Sequence, residues 1–219
     1  MKWDSIDTFF LDMDGTLLDL SFDNFFWHKH MPYLYAEMHN MSYQEAKLIL
    51  KIMYKEKQGT LDWYSIDYWS DILKIDLTSE LFKTKNNIKV FPGTISFLCK
   101  LKKRKMRIIL ITNCPRKMIN VKFTQTKLWS YFDKIISSED YGFAKETDNF
   151  WIYLKKELIY NEDKTVFIDD SQNVLEFALR NGIKNVISIN LPDSKKKKQN
   201  IKVYKSIDSI SDFEDKIIN

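Results

Sequence analysis

Two aspartates spaced two residues apart, Asp12 and Asp14, follow an apolar segment and precede Gly15 and Thr16. Residues 6–11 are mostly apolar, which is typical of a buried strand. Side chains at i and i+2 share one side of a strand, and open α/β sheets bind ligands beyond the carboxyl ends of their strands. The two carboxylates can therefore converge on one cation, and their oxygens favour Mg²⁺. An acidic turn after the strand is an equally good interpretation of this pair alone, since aspartate and a glycine that permits positive φ both favour turns.

A hydroxyl and an amide, Thr112 and Asn113, follow a second strand predicted over residues 106–111. Pro115 stands close behind them and suits the first turn of a helix predicted over residues 115–128. The free N–H groups at the start of a helix, together with these side chains, could bind an anion. The alternative is that Thr112 or Asn113 simply caps the helix.

Lys145 and the adjacent Asp169 and Asp170 complete the set of candidate residues. Lys145 lies in a turn-like segment before a predicted helix, where its ammonium group could neutralise a phosphate and a carboxylate. Asp169 and Asp170 follow a third apolar strand, and adjacent carboxylates are unfavourable there without a cation. The alternative is that Asp170 or Ser171 caps the next helix. Taken together, the four clusters provide what phosphoryl transfer with one Mg²⁺ requires.

The elements that would position these clusters indicate an α/β fold. Strands and helices alternate from residue 90 onward, which predicts a Rossmann-like, mostly parallel sheet with helices on both faces. Residues 20–88 form a helical insert after the first strand, with a capping box at residues 42–45, one helix from about residue 60 to 73 and another over 78–85. We therefore expect a core domain of residues 1–19 and 89–219 and a helical domain of residues 20–88.

Composition narrows the class of protein. Of the 219 residues, 44% are hydrophobic and 15% aromatic, which is enough for a substantial core, and the net charge is +4. The lysine-rich runs at residues 102–105 and 195–198 are typical of solvated surfaces, so we expect no nucleic-acid partner. Cys99 and Cys114 form no disulfide or metal pattern, and Cys99 is expected in the core. The polar N-terminus and the lack of an 18-residue apolar stretch favour a cytoplasmic protein without a membrane partner.

In this order and on these elements, the four clusters resemble the motifs of the haloacid dehalogenase (HAD) superfamily of phosphohydrolases. Residues 12–16 match the first motif, 112–113 the second, Lys145 the third and 169–170 the fourth, and the insert stands where the family has its type 1 cap. One departure is Glu146, where much of the superfamily has proline. Segments 11–20, 22–27, 62–64, 67–69 and 167–171 further resemble the bacterial GMP/IMP 5′-nucleotidases of that superfamily.

The resemblance implies roles for individual residues. Asp12 would be the nucleophile that forms an aspartyl-phosphate, Asp14 the general acid and base, and Lys145 the cation that offsets charge. The implied phosphate-binding residues are Gly15, Thr112, Asn113 and Lys145, and the implied metal ligands are Asp12, Asp14 (through its main-chain carbonyl), Asp169 and Asp170 (directly or through water). The implied cofactor is Mg²⁺, with Mn²⁺ or Co²⁺ as substitutes, and the implied partner is a purine nucleoside 5′-monophosphate.

Aromatic and polar residues of the insert bear on the choice of substrate. The insert carries twelve aromatic residues between positions 20 and 75, most of them needed for its own core and about two of them available to stack on a base. Four polar residues of the insert could read the edges of a base: Asn24, His28, His30 and Asp67. The alternatives are a phosphatase or phosphomutase for a small sugar phosphate, and a HAD domain that binds without catalysing.

Overall fold

The protein was analysed as a computed structural model, which describes residues 5–199, 201 and 203–213. Its described strands form one sheet of six, in the order β3-β2-β1-β4-β5-β6, with every neighbouring pair parallel. The strands are β1 (Thr8–Leu11), β2 (Arg107–Thr112), β3 (Lys134–Ser137), β4 (Thr165–Asp169), β5 (Asn185–Ile189) and β6 (Lys205–Ile207). This architecture confirms the α/β fold class.

The alternation of side chains along β1 divides the core into two layers. Phe9 and Leu11 are buried in an apolar cluster on one face of the sheet, and Phe10 is buried in a second cluster on the other face. Helices α7 (Thr94–Lys103) and α8 (Arg116–Thr126) cover the first face, and α10 (Asp148–Glu157) and α11 (Gln172–Arg180) cover the second. Burial on both faces explains why residues 9–11 of β1 are all apolar.

The chain between β1 and residue 90 is helical, as the sequence predicts. Its helices are α1 (Ser21–Phe25), α2 (Met31–His39), α3 (Tyr43–Lys57), α4 (Leu61–Tyr64), α5 (Ile66–Leu73) and α6 (Leu77–Thr84), and a π-helical turn (Phe26–His30) joins α1 to α2. The capping box is confirmed: Ser42 and Glu45 hydrogen-bond reciprocally at the start of α3. The first apolar cluster continues from the sheet into these helices, and the division into two domains stays a prediction.

Three details differ from the sequence-based expectations. The single helix expected near residues 60–73 is broken at Ser65, which has extended backbone angles and whose hydroxyl accepts a hydrogen bond from the Tyr68 N–H to cap α5. Pro115 is the residue before α8 and not part of its first turn. Cys99 is exposed, because α7 turns Phe97 and Leu98 inward and Cys99 outward, whereas Cys114, between β2 and α8, is buried.

The remaining elements complete the described chain. Helix α9 (Ser138–Tyr141) is a single turn between β3 and the segment that carries Lys145. A 3₁₀ turn (Ile210–Phe213) ends the described part of the chain. Within the part of the chain that the structure describes, no helix is both long enough and apolar enough to span a bilayer.

Candidate active site

The sheet order brings the predicted clusters to one edge. Strand β1 lies between β2 and β4, and Leu11 is in register with Leu110 and Ile168. Asp12 therefore emerges between the ends of its two neighbours, and its N–H donates to the carbonyl of Ile168 at 3.0 Å. Because all three strands are parallel, the residues that follow them share the carboxyl edge where α/β proteins bind ligands.

Lys145 is the cation at the centre of this edge. Its Nζ donates to Asp12 Oδ1 at 2.6 Å, to Asp169 Oδ2 at 2.7 Å and to the carbonyl of Ile111 at 3.2 Å. Only 2% of the residue is exposed. Its main chain is fixed as well, because Trp151 Nε1 donates to the Lys145 carbonyl at 2.8 Å. A buried lysine anchored in this way holds a positive charge beside the two aspartates.

Three carboxylates meet beside that lysine. Asp12, Asp169 and Asp170 each offer an oxygen, and these oxygens lie within 4.8 Å of one another. With a single ammonium group among them, the fully ionised cluster carries two uncompensated negative charges. An all-oxygen donor set with this excess charge fits Mg²⁺. These residues could therefore hold the cation that the sequence predicts.

Burial shifts the ionisation of the same carboxyl groups. Burial raises the pKa of Asp12 to about 7, against the opposing effect of Lys145. The pKa of Asp169 is also raised by burial and lowered in part by Lys145. Burial, followed by the charges of Asp169 and Asp12, raises the pKa of Asp170 well above its ordinary value. A divalent cation would relieve these shifts by favouring the charged carboxylates.

Gly15 explains how Asp170 comes so close to the first motif. Its φ of +87° is one that glycine adopts readily, and a Cβ at this position would lie 2.6 Å from Asp170 Oδ2. Any other residue would be strained and would displace that carboxylate. The structure thus gives Gly15 a role in admitting Asp170, and its predicted role in phosphate binding stays a prediction.

The side chains of Thr112 and Asn113 are engaged within the protein. Thr112 Oγ1 accepts from the N–H of Cys114 at 3.0 Å, which closes a local turn and does not cap α8. Asn113 Oδ1 accepts from the Lys145 N–H at 2.9 Å, and its Nδ2 donates to Glu146 Oε2 at 2.8 Å. Both residues line the cavity described below, and phosphate binding by them stays a prediction.

Asp14 lies apart from the three clustered carboxylates. Its Oδ1 is 2.7 Å from Nζ of Lys122, a fully buried lysine of α8 that also lies 2.7 Å from Asp23 Oδ1. The predicted contact of Asp14 with metal concerns its main-chain carbonyl and stays a prediction. Lys122 and Asp23 were missed by the sequence analysis, although Lys122 follows the buried Met118 by four residues and so stands on the apolar face of its helix.

A cavity of about 320 Å³ extends from these groups to the helical insert. Its polar end is formed by residues of the four motifs, and its other walls include five aromatic side chains of the insert: Trp27, Tyr54, Trp63, Tyr64 and Trp69. The expectation that about two of these side chains stack on a base stays a prediction.

Tyr54 is central to this aromatic wall. Its ring makes edge contacts with Trp27, Trp63 and Trp69, at centroid distances of 5.9, 5.9 and 4.9 Å. Its hydroxyl is buried and has no hydrogen-bond partner among the described residues. A buried, unpaired hydroxyl in the wall of a cavity is available to a ligand.

The four polar residues suggested as readers of a base are placed differently. Asn24 and His28 line the cavity, and Asn24 Nδ2 also donates to Asp193 Oδ2 at 2.7 Å. His30 contacts Glu80 at 2.9 Å and Asp67 pairs with a lysine of α8, and neither lines the cavity. Reading of a base by His30 or Asp67 is therefore not supported by their positions.

The helical insert also contacts the motif residues directly. Tyr64 in α4 donates its hydroxyl hydrogen to Glu146 Oε1 at 2.6 Å. Glu146 stands beside Lys145 and accepts from Asn113 at its other oxygen. The residue that departs from the superfamily pattern therefore joins the insert to the second and third motifs.

Comparisons with known proteins agree with this geometry. The profile of the haloacid dehalogenase-like hydrolase family matches residues 9–188. The GMP/IMP nucleotidase YrfG of Escherichia coli (strain K12) is 35% identical over 194 residues, which cover 89% of this chain and 87% of that protein. A glyceraldehyde 3-phosphate phosphatase of Methanocaldococcus jannaschii is 27% identical over 140 residues, which cover 60% of this chain and 61% of that protein.

A solved structure extends the agreement to the fold. The crystal structure of a HAD phosphatase from Thermococcus onnurineus superposes with a TM-score of 0.81 at 19% identity, covering 97% of this chain and 98% of that one. The family profile covers the sheet from β1 to β5 except for one residue at each end, the helical insert and all four polar clusters. This chain therefore belongs to the haloacid dehalogenase-like hydrolase family.

Proposed function

We propose that the protein is a Mg²⁺-dependent phosphatase that hydrolyses purine nucleoside 5′-monophosphates. The observation that carries this proposal is Lys145, buried between Asp12 and Asp169 at the floor of a cavity whose outer walls are aromatic. Together with a bound Mg²⁺, this fixed cation would offset the clustered carboxylates and suit an anionic group, and aromatic walls suit a planar base.

Asp12 acts as the nucleophile in the proposed reaction. One of its carboxylate oxygens attacks phosphorus, and the bond from phosphorus to the ribose 5′-oxygen breaks as the aspartyl-phosphate forms. Lys145 Nζ lies 2.6 Å from Asp12 Oδ1, and its positive charge reduces the repulsion between the Asp12 carboxylate and the phosphate of the substrate. A bound Mg²⁺, held by Asp12, Asp169, Asp170 and the Asp14 carbonyl, would supply further charge neutralisation.

Asp14 moves the proton in both halves of the reaction. It first donates a proton to the departing ribose oxygen, and it then accepts one from the water that attacks phosphorus and releases Asp12. Its carboxylate lines the cavity and is separate from the Asp12, Asp169 and Asp170 cluster, so its oxygens are not committed to that cluster. Burial raises the pKa of Asp14, against the effect of Lys122, which favours a carboxyl that can carry a proton.

Two observations support a purine nucleotide as the substrate. The cavity walls carry three tryptophans and two tyrosines of the insert, a composition suited to stacking on a base. The relative at 35% identity is a GMP/IMP nucleotidase. The second candidate, a small sugar phosphate, is favoured by the more distant similarity to a glyceraldehyde 3-phosphate phosphatase.

A phosphate-release screen tests the proposal. The purified protein is incubated with GMP, IMP, AMP, UMP, glyceraldehyde 3-phosphate and ribose 5-phosphate, with Mg²⁺ or with EDTA. We expect release from GMP and IMP that EDTA abolishes and that Mg²⁺, and to some extent Mn²⁺ or Co²⁺, restores. Preference for a sugar phosphate would replace the proposed substrate, and absence of metal-dependent release from every ester would overturn the catalytic function.

A further inference from the structure

A second buried lysine contacts the first motif. Lys122 is completely buried, and its Nζ lies 2.7 Å from Asp14 Oδ1 and 2.7 Å from Asp23 Oδ1. The ring of Phe22 covers the ammonium group at 5.8 Å from its centroid. Removing a lysine from water is unfavourable unless anionic partners compensate, so the two aspartates account for its charged state.

The three residues come from three separate parts of the chain. Lys122 belongs to α8 behind the second motif, Asp14 to the turn after β1, and Asp23 to the first helix of the insert. The hydrogen bond from Lys122 to Asp23 spans 99 positions of sequence. This lysine therefore fixes the Asp14 carboxylate relative to both the sheet edge and the base of the insert.

Lys122 contacts both aspartates at the same distance. Its Nζ donates a hydrogen bond to Asp23 Oδ1 and forms an ion pair with Asp14 Oδ1, each at 2.7 Å. The contact with Asp23 holds the ammonium group in place, and the contact with Asp14 fixes the direction of the Asp14 side chain in the wall of the cavity.

We propose that Lys122 is a positioning residue, anchored by Asp23, which orients the Asp14 carboxyl for proton transfer to the leaving group. This inference rests on the proposed function, because it assigns Lys122 a part in the step that Asp14 performs. The alternative is that Lys122 only joins α8 to α1 and affects stability alone. The two possibilities differ in how the effect of a substitution depends on the leaving group.

Leaving groups differ in their need for a proton. The ribose oxygen of IMP is a poor leaving group and needs general-acid assistance, which contributes about 10²–10⁴-fold to such steps. Nitrophenolate leaves without it. With enzyme in excess over substrate, release of inosine from IMP and of nitrophenolate from p-nitrophenyl phosphate both report the first step alone.

The test compares Lys122→Met with a matched control, Lys117→Met. Lys117 lies on the same helix and also pairs with the insert, 2.6 Å from Asp67, but both side chains of that pair are 56% exposed. We expect Lys122→Met to slow inosine release by about 10- to 100-fold and nitrophenolate release by less than about threefold. We expect Lys117→Met to leave both rates unchanged.

A second variant keeps the test valid if Lys122→Met does not fold. Asp23→Asn preserves the shape of the side chain and keeps Lys122, but it weakens the contact that holds Lys122 in place. Like Lys122→Met, it should slow inosine release more than nitrophenolate release. Equal slowing of both substrates, or no slowing, in every folded variant would overturn the inference. If the wild-type protein releases neither leaving group, the proposed function itself fails, which is a distinguishable result.

Discussion

In the absence of metal, the charge of the Asp170 carboxylate destabilises the folded protein. It is partly buried beside Asp12 and Asp169, whose charges, after burial itself, raise the pKa of Asp170 well above its ordinary 3.8. Lys145 donates to both of those neighbours and to no oxygen of Asp170 among the hydrogen bonds of the described chain. We therefore predict that Asp170→Asn, which removes the charge and keeps the shape, stabilises the protein in the absence of metal.

The expected gain follows from the distances. Two unit charges 4.8 Å apart, the largest separation in this cluster, repel by about 3.5 kcal/mol at an effective dielectric constant of about 20. Asp170 faces two such neighbours, and the attraction of Lys145 offsets roughly one of them. Solvent screening reduces the remainder, because Asp170 is only partly buried, so we expect Asp170→Asn to gain about 1–2 kcal/mol at pH 8.

The pH dependence has a defined direction. Below the ordinary pKa of 3.8 the Asp170 carboxyl is protonated in the folded and the unfolded chain, and its substitution gains nothing. As pH rises towards the raised pKa, the unfolded chain releases a proton that the folded protein retains, so the penalty on the wild-type protein grows. The advantage of Asp170→Asn should therefore be larger at pH 8 than at pH 5.

Urea unfolding at both pH values, in EDTA and in Mg²⁺, measures this effect. We expect Mg²⁺ to reverse the order, because it stabilises the wild-type site and has lost one ligand in the variant. The matched control, Asp71→Asn, changes an exposed aspartate of α5 and should alter stability by less than about 0.5 kcal/mol. The electrostatic argument is refuted if Asp170→Asn is less stable than the wild type in EDTA at pH 8. It is also refuted if Mg²⁺ raises the free energy of unfolding of the variant by as much as that of the wild type.

Further predictions concern the nucleophile, the metal and the contact with the insert. Asp12→Asn should fold and lose activity by several orders of magnitude, and near-normal phosphate release by the purified variant would contradict its role. The rise in Tm on adding Mg²⁺, measured by scanning calorimetry, should be smaller at pH 6 than at pH 8. Burial raises the pKa of Asp12 to about 7, so at pH 6 the metal must displace a proton from this carboxyl group. A larger rise in Tm at pH 6 would contradict the proposed metal site. Tyr64→Phe removes the hydrogen bond to Glu146 and should lower the free energy of unfolding in urea by about 1.5–3 kcal/mol. The control Tyr33→Phe changes an exposed tyrosine and should lower it by almost nothing. Equal losses in the two variants would contradict a stabilising role for the Tyr64–Glu146 hydrogen bond.

The sequence predicts the fold class and the residues at the sheet edge for one physical reason. In a parallel sheet the carboxyl ends of neighbouring strands meet, so polar residues that end apolar runs converge even when they are far apart in sequence. Asp12 and Asp169, which follow β1 and end β4, come together through Lys145 in this way. The separate helical character of residues 20–88 was likewise visible in the spacing of its apolar residues.

The spacing of residue types in the sequence does not predict which side chains meet when they are distant along the chain. The partners of Lys122 lie on a turn and on another helix, and no local period specifies which carboxylate a buried lysine meets. The bond between Tyr64 and Glu146 depends similarly on how the insert packs against the core. Apolar spacing that continues across Ser65 predicts one helix, whereas the Ser65 hydroxyl caps the start of a second one.

Trapping the covalent intermediate tests the central claim most directly. The protein is mixed with IMP and Mg²⁺, quenched in acid within its first turnover, and mapped by peptide mass spectrometry. We predict one phosphoryl group on the peptide that contains Asp12, removed by hydroxylamine and absent from Asp12→Asn. Release of phosphate without any phosphorylated peptide, or a phosphoryl group on a different residue, would contradict the account.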